Sequence, residues 1–464
     1  MPKVAGPLGL TATYVLIIFF ITNTPSAIQA GAGTFTFWIV GGLTFFIPCA
    51  ICTAQLGHMF PHEGSLYNWT HRAFGGYWSF FVSFCAWFPC ILLMIVAADG
   101  VVGYVQGLNS NWLTQPWQQG VVLMLILAFS GFIATRRFAT TLNLVKVVLV
   151  IAFLAVFITG LAGVVWLLKG NHAATSFSFK TPANWGFAWN PNGYYTLALF
   201  AFIVQSFLGI EVPLNTGGEM TGRKPITRHL LWGTILVLIG YFVTSFGLLV
   251  VVGATPSTIA NPLAMVLAVK TALGPTAGNI TAVLIMCNFI VTPAIYSYAY
   301  ARLLLVGGID QRLPMRVARL NKDRVPANAI IFQTVCALIF AAILFIVIPA
   351  FGGASNASVL NQEVYNVVIS ASTLVWAIST AFLPINVLKF YLSDRRTFLK
   401  KLIFPMPVLW ISIIGALAFS LIPSLISNDI WWLIVGGITA ICIVVALVGG
   451  ILASSEADWQ KLHE

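Results

Sequence analysis

The chain has 464 residues, of which 59% are hydrophobic and only 8% are charged. Apolar runs recur along its whole length, and many reach about 18 residues, which is enough for a helix to cross about 30 Å of hydrocarbon. A soluble protein of this size needs far more surface charge, and a signal peptide does not explain apolar runs that continue to residue 453. The composition predicts an all-α integral membrane protein and excludes a soluble globular one.

The apolar runs predict twelve transmembrane helices. In chain order they cover residues 8–30, 36–58, 78–107, 117–135, 141–167, 194–221, 229–254, 275–305, 327–350, 363–390, 404–425 and 429–453. An even number of spans puts both termini on one face of the membrane. Of the 23 Lys and Arg residues, only Lys169, Lys180 and Lys270 fall on the opposite face, which leaves 20 on the face of the termini. The positive-inside rule therefore predicts cytoplasmic termini in a multi-pass protein of the cell membrane.

Two of the predicted spans contain helix-breaking residues. The first contains TNTPS at residues 22–26, and the sixth contains GIEVPLN at residues 209–215. If residues 8–167 and 194–390 form two five-helix halves, the breaks occupy corresponding places. One proline kink can simply adjust packing, but matching breaks in two halves indicate a transporter site near the middle of the bilayer.

Two acidic residues, Asp99 and Glu211, lie well inside the predicted spans. Charged groups in hydrocarbon are costly and usually functional. Asp99 lies near one end of its span, so a position near the surface or a hydrogen bond at a helix end explains it equally well. Glu211 lies at a break, where it could bind a proton, bind a substrate ammonium group, or hydrogen-bond freed backbone groups. No deeply buried base is expected, which disfavours a site dedicated to acidic amino acids.

Other functional classes fit the sequence less well. The spans hold no group of His, Asp and Glu suited to metal binding or acid–base catalysis, so neither an enzyme, a metal nor a cofactor is expected. No P-loop indicates a nucleotide-driven pump, and no repeated pore signature indicates a channel. The basic residues form short clusters between spans, which indicates membrane topology and not nucleic acid binding. A sensor derived from a transporter remains an alternative.

Three segments resemble the amino acid, polyamine and organocation (APC) permeases. AICTAQLGHMFPHEGSLYNWTHRAFGGYWSFF at 50–81 is similar to their region between helices two and three. SFLGIE at 206–211 resembles their sixth-helix motif, and ARLLLVGGIDQRLPMRVARLNKDRVPANA at 301–329 resembles their loop after helix eight. Within the family, residues 41–56 and 209–220 look most like the glutamate/GABA antiporter branch.

The resemblance implies a single transmembrane domain with a LeuT-like inverted repeat of five plus five helices, followed by two additional helices at 404–453. It implies secondary active transport of an amino acid by alternating access, driven by exchange or by proton coupling. The expected partners are a small-molecule substrate, the lipid bilayer and protons, while the oligomeric state is left open. A permease for polyamines or other organic amines is the alternative.

The resemblance also implies a set of site residues. The broken first helix would offer backbone groups at residues 23–27 to the substrate carboxylate, and Phe207, Gly209 and Ile210 would face the amino group. Glu211 matches the family's sixth-helix acid, which is linked there to proton or pH sensitivity. The first helix lacks the G-x-G of many members, so the side chains of Asn23 and Thr24 are expected to substitute for it.

Further candidates come from other spans. Gln205 occupies the place of an aromatic gate found in some relatives. Thr292 and Tyr296 in span eight, and Ser372, Trp376 and Ser379 in span ten, could face the cavity or bond neighbouring helices. The predicted substrate-binding set is Asn23, Thr24, Pro25, Ser26, Ala27, Gln205, Phe207, Gly209, Ile210, Thr292 and Tyr296, and the predicted proton-coupling residue is Glu211.

Overall fold

A computed structural model of the chain describes residues 3–452, except 110, 181, 187–192, 223, 255–262, 352–356 and 421–428. Within these residues every extended regular element is a helix, and the predicted all-α class is confirmed. The α-helices are α1 (Pro7–Ile18), α2 (Asn23–Ala27), α3 (Gly33–Gly41), α4 (Ile47–Met59), α5 (Ser65–Phe74), α6 (Gly76–Leu108), α7 (Pro116–Ala134), α8 (Phe138–Leu168), α9 (Gly193–Gln205), α10 (Lys224–Val251), α11 (Ala264–Leu273), α12 (Pro275–Ile309), α13 (Ala327–Ala342), α14 (Ile348–Ala350), α15 (Ala357–Ser393), α16 (Arg395–Lys400), α17 (Met406–Ser420) and α18 (Asp429–Leu452).

Eight helical segments among the described residues are long and apolar enough to cross a membrane. They are Gly33–Met59, Gly76–Leu108, Pro116–Ala134, Phe138–Leu168, Lys224–Val251, Pro275–Ile309, Ala327–Ala350 and Val367–Ser393. The pair Pro7–Ile18 and Asn23–Ala30, bent by 48° at a short break, makes a ninth candidate. Helices α9, α17 and α18 lie at the three remaining predicted spans, 194–221, 404–425 and 429–453. Residues 421–425 and 453 of those spans lie outside the described residues. The twelve-span count and the five-plus-five repeat remain predictions.

The break in the first span lies earlier than the sequence predicts. The sequence predicts the break at residues 22–26, but residues 23–27 form α2, and the chain leaves the helix at residues 19–22 instead. Pro25 lies in the first turn of α2, where its missing N–H has no helical partner to lose. In a continuous helix its ring would clash with the carbonyl of Ile21. The helix therefore ends before the proline and restarts around it.

The break in the sixth span is longer than the sequence predicts. Helix α9 ends at Gln205, and the chain continues through irregular backbone into short 3-10 turns at Val212–Asn215 and Gly217–Glu219. Gly209 has a φ of +102°, which residues with a Cβ rarely adopt. The predicted span at 194–221 therefore contains α-helix only as far as Gln205, and its second half is not a regular helix.

Helices α8 and α10 pack closely at a glycine, and this contact positions α10 beside both breaks. A Cβ on Gly247 would lie 2.2 Å from the carbonyl oxygen of Thr159. Only a residue without a side chain fits at this distance, as is typical where membrane helices cross closely. Helix α10 also packs against α1, so its register determines which of its side chains reach the first break.

We expect Gly247→Ala to lower the free energy of unfolding by about 1–3 kcal/mol, because the added methyl group forces α8 and α10 apart. The measurement is the melting temperature of the purified protein in detergent. Gly436→Ala in α18 is the control, since nothing lies within 4 Å of a Cβ at that position. Equal melting temperatures for the two variants would contradict the close approach of α8 and α10.

Candidate functional site

The two breaks lie beside each other and are held by tyrosine hydroxyls. The hydroxyl of Tyr241 in α10 lies 2.9 Å from the carbonyl oxygen of Ile18 and 3.2 Å from that of Ser206. The hydroxyl of Tyr296 in α12 donates to the carbonyl oxygen of Ile17 at 2.9 Å. Carbonyls freed at a helix end cost about 1–3 kcal/mol each when they are buried without a partner. The tyrosines therefore stabilise both breaks at one place.

A cavity of about 30 Å³ lies at this meeting point. Its lining comes from α1, α2, α6, α9, α12, α15 and both breaks, and consists of Ile17, Ile18, Phe20, Asn23, Leu93, Gln205, Ser206, Leu208, Tyr296, Ile369, Ser372, Thr373 and Trp376. These residues include several polar side chains but none with a charge. The Oδ1 atom of Asn23 is buried and has no hydrogen-bond partner among the described residues. The cavity is thus a polar, uncharged chamber with an unused acceptor.

Three residues of the predicted set, Asn23, Gln205 and Tyr296, come together in this lining. The ring of Phe207 does not: it stacks on Phe46, with ring centroids 4.5 Å apart. The Thr292 hydroxyl donates within its own helix to the carbonyl of Asn288 at 2.9 Å. Phe207 and Thr292 therefore pack in the protein interior outside the cavity lining.

The rest of α2 is directed at neighbouring helices. The hydroxyl of Thr24 lies 3.0 Å from the hydroxyl of Thr244 in α10, and the carbonyl of Ala27 accepts a hydrogen bond of 2.9 Å from Thr34. The remaining predicted residues that are absent from the lining are Pro25, Ser26, Gly209 and Ile210. Within α2, Asn23 alone contributes to the cavity lining among the described residues.

Glu211 is buried but does not line the cavity. Trp376 of α15 contacts both the cavity and the Glu211 carboxyl. Its indole forms part of the lining, and its Nε1 donates to Oε1 of Glu211 at 3.2 Å. Among the described residues, Oε2 of Glu211 and the hydroxyl of Tyr300 are buried without hydrogen-bond partners. The sequence named Trp376 as a candidate but did not indicate that it reaches Glu211, because the two residues are 165 positions apart.

Asp99 is buried in the interior of α6, which continues to Leu108, and it is only 1% exposed. Both explanations that the sequence offered for Asp99, a position near the surface and a hydrogen bond at a helix end, are therefore wrong. The adjacent Gly100 faces the ring of Phe289, since a Cβ there would lie 3.2 Å from that ring. Asp99 is absent from the cavity lining.

A second polar cluster, missed by the sequence analysis, lies where the chain begins; we call this end of the bundle the N-terminal face. Arg302 is fully buried, and its Nη2 lies 3.0 and 3.1 Å from the two carboxylate oxygens of Glu219. The Tyr298 hydroxyl donates to the same carboxylate at 2.7 Å, and the backbone N–H of Ala5 donates to the Glu219 carbonyl at 2.9 Å. The expectation of no deeply buried base is therefore wrong. Arg302 can be buried because its charge is neutralised by Glu219, a partner 83 positions away in the chain.

Glu63 adjoins this cluster. Both of its carboxylate oxygens are buried and have no hydrogen-bond partner among the described residues. A Cβ on Gly218 would lie 3.0 Å from Oε1 of Glu63, so the carboxyl lies against the residue next to Glu219. Burial raises the pKa of Glu63 well above its usual value, and the charge of Glu219 raises it further. The neutral form of Glu63 thereby avoids repulsion between two buried carboxylates.

Asp310 is a third buried acid on the N-terminal face. It accepts a hydrogen bond from the hydroxyl of Tyr67 in α5, and Nε of Arg312 lies 3.7 Å from its carboxylate. The side chain of His71 lies 3.9 Å away. Burial lowers the pKa of His71 to about 4, with further contributions from Arg312 and Arg72, so this imidazole is neutral at neutral pH. These contacts tie α5 to the end of α12.

Apolar helices in which two broken segments meet at an uncharged polar cavity define a membrane transport protein. The sequence pattern of the amino acid permease family matches residues 8–448. The inner membrane transporter YjeM of Escherichia coli (strain K12) is 23% identical over 411 residues, which are 78% of each chain. The amino-acid permease AapA of Bacillus subtilis (strain 168) is 25% identical over 85% of this chain and 82% of its own. The gamma-aminobutyric acid permease of the same bacterium is 26% identical over 64% of this chain and 62% of its own.

The chain therefore belongs to the amino acid permease family, and the predicted resemblance to the APC permeases is confirmed. Members of this family are membrane-embedded transporters, and the relatives named above are transporters or permeases. Which branch of the family is nearest stays a prediction.

We expect Arg302→Met to lower the free energy of unfolding by about 3–5 kcal/mol, because it leaves the Glu219 carboxylate buried without its partner. The double variant Arg302→Met with Glu219→Leu should regain much of the lost free energy of unfolding, because neither charge is then buried alone. Melting temperature and monodisperse yield are the measurements. The control is Arg137→Met, which removes an exposed ion pair with Asp323 and should cost less than about 1 kcal/mol. A double variant as unstable as the sum of the single ones would contradict the pairing.

Proposed function

We propose that the protein is a secondary active transporter of amino acids that works by alternating access in the cytoplasmic membrane. The observation that carries this proposal is the meeting of both helix breaks at one uncharged polar cavity. Unwound backbone inside a membrane bundle is tolerated where it lines a cavity or is buried in protein, and transporters use it to bind ligands. Membership of the amino acid permease family supports the same function.

The absence of charged side chains among the described residues of the cavity lining favours a zwitterionic substrate. A ligand with a net charge would be buried without a counter-charge from the lining, at a cost of several kcal/mol. An amino acid zwitterion brings both charges and needs only hydrogen-bond partners. The free Oδ1 of Asn23 can accept from its ammonium group, and the side-chain amide of Gln205 can donate to its carboxylate. Two relatives with amino acids in their names, the amino-acid permease and the gamma-aminobutyric acid permease, support this substrate class.

The size of the cavity supports a conformational cycle. A volume of about 30 Å³ holds about two water molecules, which is less than any amino acid needs. The N-terminal face is closed beneath the breaks by the networks of Glu219 with Arg302 and of Asp310 with Tyr67. Substrate transfer toward that face would have to separate the elements that these contacts join. In the proposed topology both termini are cytoplasmic, so the N-terminal face is the inner gate.

The source of energy would be exchange or a proton gradient. Glu211 is the proposed proton-coupling residue, because it is a buried carboxyl beside the breaks that forms no ion pair among the described residues. The five-plus-five repeat would provide the symmetry by which the two sides open in turn.

We expect purified protein in proteoliposomes to catalyse counterflow of at least one labelled amino acid from a panel of neutral, acidic and basic members, because the polar, uncharged lining suits a zwitterion once the cavity opens. Putrescine serves as the amine without a carboxylate. Stimulation by an inward proton gradient indicates proton coupling, and a flat response indicates exchange. Counterflow of putrescine alone would favour the amine permease. No counterflow of any compound would overturn transport and favour a sensor.

We expect Asn23→Ala to raise the KM for the transported amino acid about tenfold or more, because a hydrogen bond to a charged ligand group is lost. The measurement is the concentration dependence of counterflow. Asn288→Ala is the matched control, since Asn288 also has a buried, unpartnered Oδ1 but does not line the cavity. Equal changes in KM would remove Asn23 from the binding site.

A further inference from the structure

Trp376 connects the cavity with Glu211. Its indole is part of the lining, whereas the carboxyl that accepts its Nε1–H at 3.2 Å is not. The other carboxylate oxygen of Glu211 has no hydrogen-bond partner among the described residues. The indole therefore separates Glu211 from the cavity and also supplies its side-chain donor.

The backbone of the second break leaves room for this arrangement. A Cβ on Gly209 would lie 2.9 Å from Cζ2 and 3.0 Å from Cη2 of Trp376, and 3.0 Å from Cγ2 of Ile17. The indole edge thus lies directly on the glycine, and Ile17 of α1 lies against the same glycine. An L residue at position 209 would be strained at φ +102° and would also push the indole away.

The small cavity requires that some part of its lining moves when an amino acid binds. The hydroxyl of Tyr296 donates to the carbonyl of Ile17, and the hydroxyl of Tyr241 lies within reach of the carbonyls of Ile18 and Ser206, so tyrosines anchor the backbone of both breaks. Trp376 has the largest side chain in the lining. It is held by one hydrogen bond to Glu211 and by an edge contact with Tyr300, with ring centroids 6.1 Å apart.

Among the described residues, the titratable groups that face Glu211 from the other packed elements are uncharged at neutral pH. They are Tyr14 of α1, Cys49 of α4 and Tyr300 of α12. No ion pair between described residues includes Glu211. The charge state of this carboxyl is therefore sensitive to the side-chain donor that Trp376 provides beside the backbone N–H of Glu211 itself.

We propose that Trp376 is a positioning residue that links substrate binding to protonation of Glu211. Substrate displaces the indole, the hydrogen bond from Nε1 to Oε1 breaks, and the carboxyl becomes accessible from the cavity. A donated hydrogen bond favours the ionised carboxylate, so its loss favours uptake of one proton from the water in the cavity. Because linkage is reciprocal, a protonated Glu211 releases the indole and favours substrate binding. This inference rests on the proposed transport function.

The test compares pH profiles of counterflow in proteoliposomes, with the amino acid that the wild-type protein transports best in the panel. Trp376→Phe keeps an aromatic ring and removes the donor, and we expect it to shift the pH midpoint of transport upward by about one unit or more. Glu211→Gln should make transport independent of pH, and adding Trp376→Phe to it should produce no further shift. Trp87→Phe is the matched control, since the Trp87 indole is also buried and donates to Gln333 at 3.2 Å outside the cavity lining.

A midpoint for Trp376→Phe that equals that of Trp87→Phe would overturn the proposal, as would a wild-type profile that does not change with pH. A wild-type protein without counterflow would instead overturn the proposed function, so the two failures are distinct. A second measurement uses only the wild-type protein: adding the same amino acid to weakly buffered protein in detergent should remove protons from solution. No proton uptake on saturation would also overturn the proposal.

Discussion

The rest of this structure depends on the need to satisfy backbone hydrogen bonds at two helix breaks inside a membrane protein. Pro25 interrupts the first span. Gly209, with its positive φ, and Pro213 interrupt the sixth. The bilayer offers no water to the freed groups, so other parts of the chain must supply partners. Tyr241 is central because one hydroxyl lies within reach of carbonyls from both breaks. Its ring stacks on Trp38 at 4.1 Å, and Trp38 is in turn held by Ser245 at 3.0 Å.

This solution has a consequence for binding. Because tyrosine hydroxyls occupy freed carbonyls, polar side chains supply hydrogen-bonding groups to the cavity, among them those of Asn23 and Gln205. Charge is kept out of the lining, and the Glu211 carboxyl lies behind the Trp376 indole. In the proposed mechanism the site recognises a zwitterion through hydrogen bonds, while the titratable group responds to movement of one side chain. Separation of these two tasks fits a transporter whose substrate binds and leaves within each cycle.

The N-terminal face follows a different rule. Here the charges are buried and paired, with Arg302 held between Glu219 and Tyr298 beneath the breaks. A buried ion pair contributes less to stability than its close geometry suggests, but its components cannot be separated cheaply without water. Such contacts hold a face closed until water enters, at which point the cost of separation falls. They are suited to an inner gate in the proposed cycle.

The sequence by itself determined what depends on local composition. Apolar runs of span length identified the membrane class, helix-breaking residues identified both broken spans, and the position of Glu211 marked it as unusual. Motif resemblance identified the family. These features depend on residues close together in the chain, where hydrophobicity and helix propensity act directly.

Only the tertiary structure decided which residues meet. It moved the first break from residues 22–26 to 19–22, excluded Phe207 and Thr292 from the cavity lining, and buried Asp99 within α6. It joined Glu211 to Trp376 and Arg302 to Glu219 across 165 and 83 positions. Periodicity shows that a side chain faces another helix but not which helix it faces. The pairing depends on how the whole bundle packs, and that is why a single sequence could not predict it.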